Sequence, residues 1–260
     1  MRASTSRLAV AALVVLLVGV ATLVRRAADP PAPTPADASG GGPVGVVDAL
    51  DPTIPSPTDV ASERKRIAAS RVCARSGYLC EGLRERGDTR AVRWERSVGE
   101  IRIRVPRPPG LDDDIARAFQ SAAAQGILAW QNSPLPLRVA RSDRPGREDF
   151  TVRWVRNLTD TELGRARTEW SREGEEVGMR VLEFTLVTHA PLGPDRVLDP
   201  RAVLLTAAHE MGHALGLPHS NAERDLMYPY NTATRPTPAD YLTMEALYRL
   251  ENGAEIMMGR

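Results

Sequence analysis

Three of the four histidines fall within eleven residues: His209, His213 and His219. His209 and His213 are four apart, so on a helix both imidazoles project from one face and can reach one ion at about 2.0–2.1 Å. Glu210 is adjacent to the first histidine and rotated about 100° around the helix axis. That places a carboxylate beside a metal and not on it, where a general base for a water nucleophile belongs. Gly216 can take the left-handed conformation that ends a helix and turns the chain, which brings His219 back as a third ligand. Three protein ligands leave one position open for water, the mark of a catalytic zinc site and not a structural one. The chemistry this pattern offers is metal-assisted hydrolysis, with zinc as cofactor and Glu210 as base. A helix with buried, hydrogen-bonded histidines is the bland alternative, and the added Gly216 and His219 weigh against it.

The run His209-Glu210-x-x-His213-x-x-Gly216-x-x-His219 resembles the zinc signature of the metzincin metallopeptidases. Met227, eight residues after His219 within Asp225-Leu226-Met227-Tyr228-Pro229-Tyr230, resembles the Met-turn of the matrixin branch, as does His219-Ser220. The resemblance covers roughly residues 94–252 and is strong only for 209–230. It implies an α+β fold, a five-stranded mixed twisted sheet with three helices. It implies that Met227 forms an apolar floor under the metal and that Tyr230 helps wall the pocket for the side chain after the scissile bond. It also implies that an edge strand, here Gly164 to Trp170, pairs with an extended peptide by strand addition.

Two departures from the family pattern stand out. Matrixins often carry a structural zinc site built from several upstream His and Asp residues. Here His189 is the only other histidine, so no second zinc is expected and His189 is expected at the surface. Glu173, Glu175, Glu176, Asp195 and Asp199 offer carboxylates that calcium would accept, although a solvated acidic face explains them as well. A propeptide with a clear switch cysteine is also missing. Residues 27–92 are the segment that would shield the site if latency exists.

The function expected is that of a zinc endopeptidase acting on extracytoplasmic protein or peptide substrates. Two rivals are a tethered zinc-binding module without activity and a zinc hydrolase of small amides or cell-wall peptides. The presence of Glu210 speaks against the first. A long open cleft with a free edge strand would speak against the second.

The elements that must position these residues can be read from periodicity. Ile101, Ile103 and Val105 alternate with charges, as in a half-buried strand. Asp112 to Asp114 open a helix whose apolar positions run from Leu111 to Trp130. Strands are expected near Leu137 to Ala140, at Phe150-Val152-Trp154, at Gly164 to Trp170 as an arginine-rich edge, and at Met179 to Thr188. Helices are expected over Ala202 to Leu215 and, after Thr237-Pro238 as cap and first turn, over Tyr241 to Leu250. Ser62 to Arg75 could form a short basic helix.

Upstream, Leu8 to Val24 is an uncharged apolar run flanked by Arg2 and Arg7 and by Arg25-Arg26. It reads as a signal anchor or a cleaved signal peptide, and either puts the remainder outside the cytoplasm. The expected organisation is residues 1–26 as that targeting segment, 27–58 as a linker with eight of the 21 prolines, 59–92 as a basic segment, and 93–260 as the peptidase domain. Cys73 and Cys80 frame Ser76-Gly77, and a disulfide is the default in an oxidising compartment. The charge balance is even, with 34 Lys plus Arg against 33 Asp plus Glu. That argues against a nucleic-acid partner. Nothing in the sequence calls for an oligomer, so a monomer is expected.

Overall fold

A computed structural model of the chain describes residues 73–256 apart from 88, 159–160, 174–175, 192–194 and 231–232. The expected targeting segment, the linker and most of the expected helix at Ser62 to Arg75 lie outside these residues. Among the described residues no helix is long and apolar enough to cross a membrane.

The chain folds as α+β. In order it forms α1 (Leu79–Glu85), β1 (Arg90–Ala91), β2 (Glu100–Arg104), α2 (Asp113–Leu128), β3 (Arg138–Arg141), β4 (Phe150–Thr151) and β5 (Arg153–Val155). Then come β6 (Gly164–Glu173), β7 (Glu176–Val187), α3 (Pro200–Ala214), α4 (Pro238–Arg249) and β8 (Ala254–Glu255). Apart from the helix at Ser62 to Arg75, which these residues hardly reach, each expected element is present within a few residues. A helix not foreseen, α1, occupies part of the cysteine segment.

The strands form two three-stranded sheets, β3-β2-β4 and β5-β7-β6, and a two-stranded ribbon of β1 and β8. β2 runs parallel to both β3 and β4, β5 runs parallel to β7, and β6 runs antiparallel to β7. The expected strand at Phe150-Val152-Trp154 changes partner in its middle. The Val152 N–H still donates to the Arg104 carbonyl at 2.9 Å, after which Arg153 to Val155 pair with β7. Among the described residues β6 pairs only with β7, so its other edge is left without a strand partner.

Alternation fixes which faces are buried. Ile101 and Ile103 are fully buried between the exposed or half-exposed Glu100, Arg102 and Arg104. Above them α2 and α3 pack closely, because Gly126 meets the Leu204 carbonyl where any side chain would overlap it. The apolar cluster also takes in Tyr78, Leu79, Cys80 and Leu83, upstream of Trp94. Cys73 and Cys80 are joined by a disulfide.

The expected surface position of His189 is corrected. The residue is only 7% exposed, its Nδ1 lies 2.8 Å from the Thr188 hydroxyl, and its backbone forms a bridge with Val197. The chain after β7 folds back on itself there, with the Ala190 N–H donating to the Arg196 carbonyl at 2.8 Å. Of the acidic residues noted above, Asp199 caps α3 by accepting from the Arg201 N–H at 2.7 Å, and Asp195 pairs with Arg156 at 2.9 Å. Glu175 and the side chains of Glu173 and Glu176 lie outside the described residues.

Candidate metal centre

α3 carries the first two histidines, and its two ends are both fixed. Asp199 provides the N-cap with Pro200 in the first turn, a position where a missing N–H costs nothing. This is why the helix begins ahead of the expected Ala202. At the other end Gly216 adopts φ +100°, and the N–H groups of Leu217 and Gly216 donate to Gly212 and His213 at 2.9 Å each. Those two bonds form a Schellman turn, which satisfies the last carbonyls and reverses the chain. A β-carbon at Gly216 would stand 2.6 Å from the Val92 carbonyl oxygen, so close approach as well as backbone angle calls for glycine. The turn delivers Pro218 and His219 beside the helix.

The three histidines are brought together. One ring nitrogen from each lies within 4.8 Å of the others, and this set could hold a metal ion. His209 Nδ1 lies 2.9 Å from the Leu226 carbonyl, and His213 Nδ1 lies 2.9 Å from the Leu217 carbonyl. A carbonyl only accepts, so both Nδ1 atoms bear the proton and both Nε2 atoms keep a lone pair. The Nε2 atoms of His213 and His219 are 3.0 Å apart. Ligand nitrogens on a tetrahedral ion with bonds near 2.0–2.1 Å are separated by about 3.3 Å, so the spacing fits a zinc-sized ion after a small adjustment.

Electrostatics keep the donors neutral. Burial pushes the imidazoles of His209 and His219 down to about 4. Burial also holds His213 well below the ordinary imidazole range, aided by its two histidine neighbours. A neutral imidazole is the form that binds metal. Glu210 is 7% exposed, and burial pushes its carboxyl up to about 8 against the opposing backbone hydrogen bond of Ala166. Gly164, at the start of β6, lies against it. A β-carbon there would stand 2.8 Å from Glu210 Cγ and 2.5 Å from Thr206 Cγ2. The edge strand thus passes directly beside the carboxylate.

Met227 is fully buried and packs against Gly212, the residue between Met211 and His213 on α3. Tyr230 is half-buried, with its ring 5.4 Å from that of Tyr228. The loop between His219 and Met227 is stitched internally. The Ser220 N–H donates to the Met227 carbonyl at 2.9 Å, and the Ser220 hydroxyl donates to Asp225 at 2.6 Å.

Residues 169–249 match the model of the family described as Matrixin. Over this stretch the chain is matrixin-like. A comparison with curated proteins gives no match. The matrixin-like region runs from β6 through α4 and contains all three histidines, Glu210, Met227 and Tyr230.

Several residues that hold the matrixin-like site were not singled out by spacing. Asp240 is fully buried and accepts from the N–H groups of Leu226 at 2.9 Å and Met227 at 3.3 Å. It also forms a reciprocal capping box with Thr237 at the start of α4. The Thr237-Pro238-x-Asp240 pattern announces that cap in the sequence, but not the long-range use of the same carboxylate. Trp94 and Trp130 donate their indole N–H groups to the α3 carbonyls of Ala214 and Ala208 at 2.8 and 2.9 Å. An indole gives no sequence signal of its acceptor.

Proposed function

We propose that this chain is a zinc-dependent endopeptidase that hydrolyses peptide bonds in extracytoplasmic protein or peptide substrates. The observation that carries this is the convergence of three neutral imidazoles beside the buried carboxyl of Glu210. His209, His213 and His219 are the ligands, and the proton on each Nδ1 of His209 and His213 orients the ring through a backbone carbonyl. When bound, zinc supplies a Lewis acid and lowers the pKa of a coordinated water to about 7.

The chain's own groups do the rest. The Glu210 carboxylate takes a proton from the attacking water and passes it to the departing amine. The backbone of Ala166 orients that carboxylate, and Gly164 leaves the room it needs. The outer edge of β6 pairs with the substrate backbone, which positions the scissile carbonyl by strand addition. Met227 provides the apolar floor of a Met-turn under α3, and Tyr230 borders the pocket for the residue after the scissile bond. The two sheets joined through Val152 act as one five-stranded surface, with β6 as its edge. A ten-residue edge strand favours an extended peptide over a small amide.

The Cys73–Cys80 disulfide supports an oxidising, extracytoplasmic location. The apolar N-terminal run serves as signal anchor or signal peptide, and the chain acts as a monomer. The test is incubation of the chain with a diverse peptide mixture and mass-spectrometric reading of the products. Cleavage by the native chain that is abolished by a chelator and absent from Glu210→Ala is expected. Cleavage that persists in both controls would overturn the assignment.

A further inference from the structure

α1 lies on the loop that carries His219. A β-carbon at Gly82 would stand 2.5 Å from the His219 carbonyl oxygen and 2.8 Å from Pro218 Cβ and Cγ, so the helix backbone touches this loop directly. One residue earlier, Glu81 accepts from Asn221 Nδ2 at 2.9 Å. At the helix start, the Tyr78 hydroxyl donates to Asp240 Oδ1 at 2.6 Å, and the Tyr78 N–H donates to Thr243 Oγ1 at 3.1 Å. Tyr78 is 5% exposed. Asp240 holds the amides of Leu226 and Met227, and the Leu226 carbonyl holds the ring of His209. The segment from Tyr78 to Glu81 therefore reaches two of the three histidines, one through the His219 loop and one through Asp240.

A helix of seven residues cannot hold itself in water. Its fixed position comes from burial of Leu79 and Leu83 and from the Cys73–Cys80 disulfide, which closes the loop containing Ser76 and Gly77. Gly77, at φ +57°, fits that loop against Thr243 Oγ1 and the Ala239 carbonyl of α4. Cys80 itself lies two residues after Tyr78.

We propose that the disulfide-closed segment from Cys73 to Glu85 is a redox-sensitive strap that positions the metal loop, with Tyr78 as its positioning residue. This role presupposes the metal site proposed above. A dithiol reductant would open the strap. One thiolate attacks a cysteine sulfur, the Cys73–Cys80 bond breaks, and a mixed disulfide forms. The reductant's second thiol then attacks its own sulfur in the mixed disulfide and releases the cysteine held there. Cys73 and Cys80 leave as thiols with two added electrons and two protons, and the reductant leaves as a disulfide. Tyr78 then keeps its packing and its bonds to Asp240 and Thr243 but loses the covalent closure of the segment that carries it, so the support for the carbonyl that orients His209 and for the backbone of His219 loosens.

The test is zinc affinity of the full-length chain, measured by competition with a chromophoric chelator before and after reduction. A water-soluble phosphine is the reductant. It goes to the phosphine oxide with oxygen from water and does not hold zinc as a dithiol would. Reduction of the native chain and the substitution Tyr78→Phe are each expected to weaken zinc binding about tenfold. Both should alter the visible absorption of the cobalt-loaded chain, which reports ligand geometry. Val139→Ala, a packing change in β3, should lower thermal stability with the zinc affinity and cobalt spectrum unchanged. The double variant Cys73→Ser with Cys80→Ser should bind as the reduced chain does and ignore the phosphine.

Zinc affinity within twofold of native in both the reduced chain and Tyr78→Phe would overturn the strap while leaving the metal site intact. A phosphine effect of equal size in the double variant would also overturn it. Should the double variant not fold, the reduced native chain and Tyr78→Phe still decide. An oxidised native chain that takes up no zinc would remove the metal site itself, and the strap with it.

Discussion

Gly212 lies against the thioether of Met227, so closely that a β-carbon at 212 would overlap the sulfur. The same β-carbon would stand 3.0 Å from the ring of Trp130. The glycine is thus required by two neighbours that are themselves fully buried. It sits one residue before His213, so displacing it moves a proposed ligand. Gly212→Ala should destabilise the fold by about 1–3 kcal/mol, the cost of overpacking a filled core. Thermal melting and zinc titration together check this. An unchanged melting temperature would mean that Met227 swings aside freely.

The C-terminal carbonyls of α3 need donors from outside the helix. Trp94 supplies one to Ala214, and the Tyr248 hydroxyl supplies another to Leu215 at 3.1 Å. Trp94→Phe removes the donor and part of the ring volume at a buried site. It should cost at least about 1–3 kcal/mol, the penalty for leaving a buried carbonyl unpaired, with the lost packing adding to it. Denaturant unfolding with an unchanged slope would confirm that only stability moved.

The parts of this molecule legible in the sequence are those governed by local rules. The four-residue spacing of His209 and His213, the glycine turn at 216, the cap at Thr237 and the alternation around Ile101 each depend on neighbours close in the chain. The unread parts depend on contacts between distant residues. Nothing local says that Asp240 holds Leu226 and Met227, or that Tyr78 reaches Asp240 across the whole domain. His189 was misplaced for the same reason. A lone histidine after a strand looks exposed until the backbone bridge to Val197 is seen. Likewise the split of the Phe150–Val155 strand at Val152 follows from which neighbours it finds, and not from its own residues.

Glu210 and His213 should separate chemistry from metal binding. Glu210→Ala is expected to keep zinc and lose at least about a hundredfold in turnover, the usual share of a general base. His213→Ala is expected to lose both. Metal analysis beside the peptide assay checks the pair. Full activity in Glu210→Ala would rule out the general-base role.

Chelator-treated protein should be acid-sensitive in a defined window. Burial holds His209 and His219 at about 4 in the folded chain, below the ordinary value of about 6.5 that they regain on unfolding. Below 6.5 the unfolded chain therefore binds more protons, and stability falls as pH drops from about 6.5 to 4. The loss should level off once the folded imidazoles also titrate. For His209 it amounts to roughly 3 kcal/mol at pH 4, with His219 acting in the same direction. Unfolding curves at several pH values, compared with a His209→Gln variant of reduced slope, check this. A flat profile across the window would show that these imidazoles remain accessible to protons when folded.

Gly164 tests whether the edge strand and the carboxylate work as one unit. Its hydrogen faces Thr206 and Glu210, and a methyl there would press on Glu210 Cγ at 2.8 Å and on Oε1 at 3.1 Å. Glu210 has little freedom to retreat, because it is buried on α3 between buried His209 and fully buried Met211. β6 has more, because one of its edges has no strand partner among the described residues. Gly164→Ala should therefore push the start of β6 outward and tilt the carboxylate, while His209 and His213, held through the Leu226 and Leu217 carbonyls, stay in place. Zinc content should remain at the native level, and kcat should fall by about tenfold or more, since a misplacement near 1 Å can cost a hundredfold. Loss of zinc together with activity would show instead that the strain is absorbed by α3, and that the edge strand and the metal ligands are mechanically one piece.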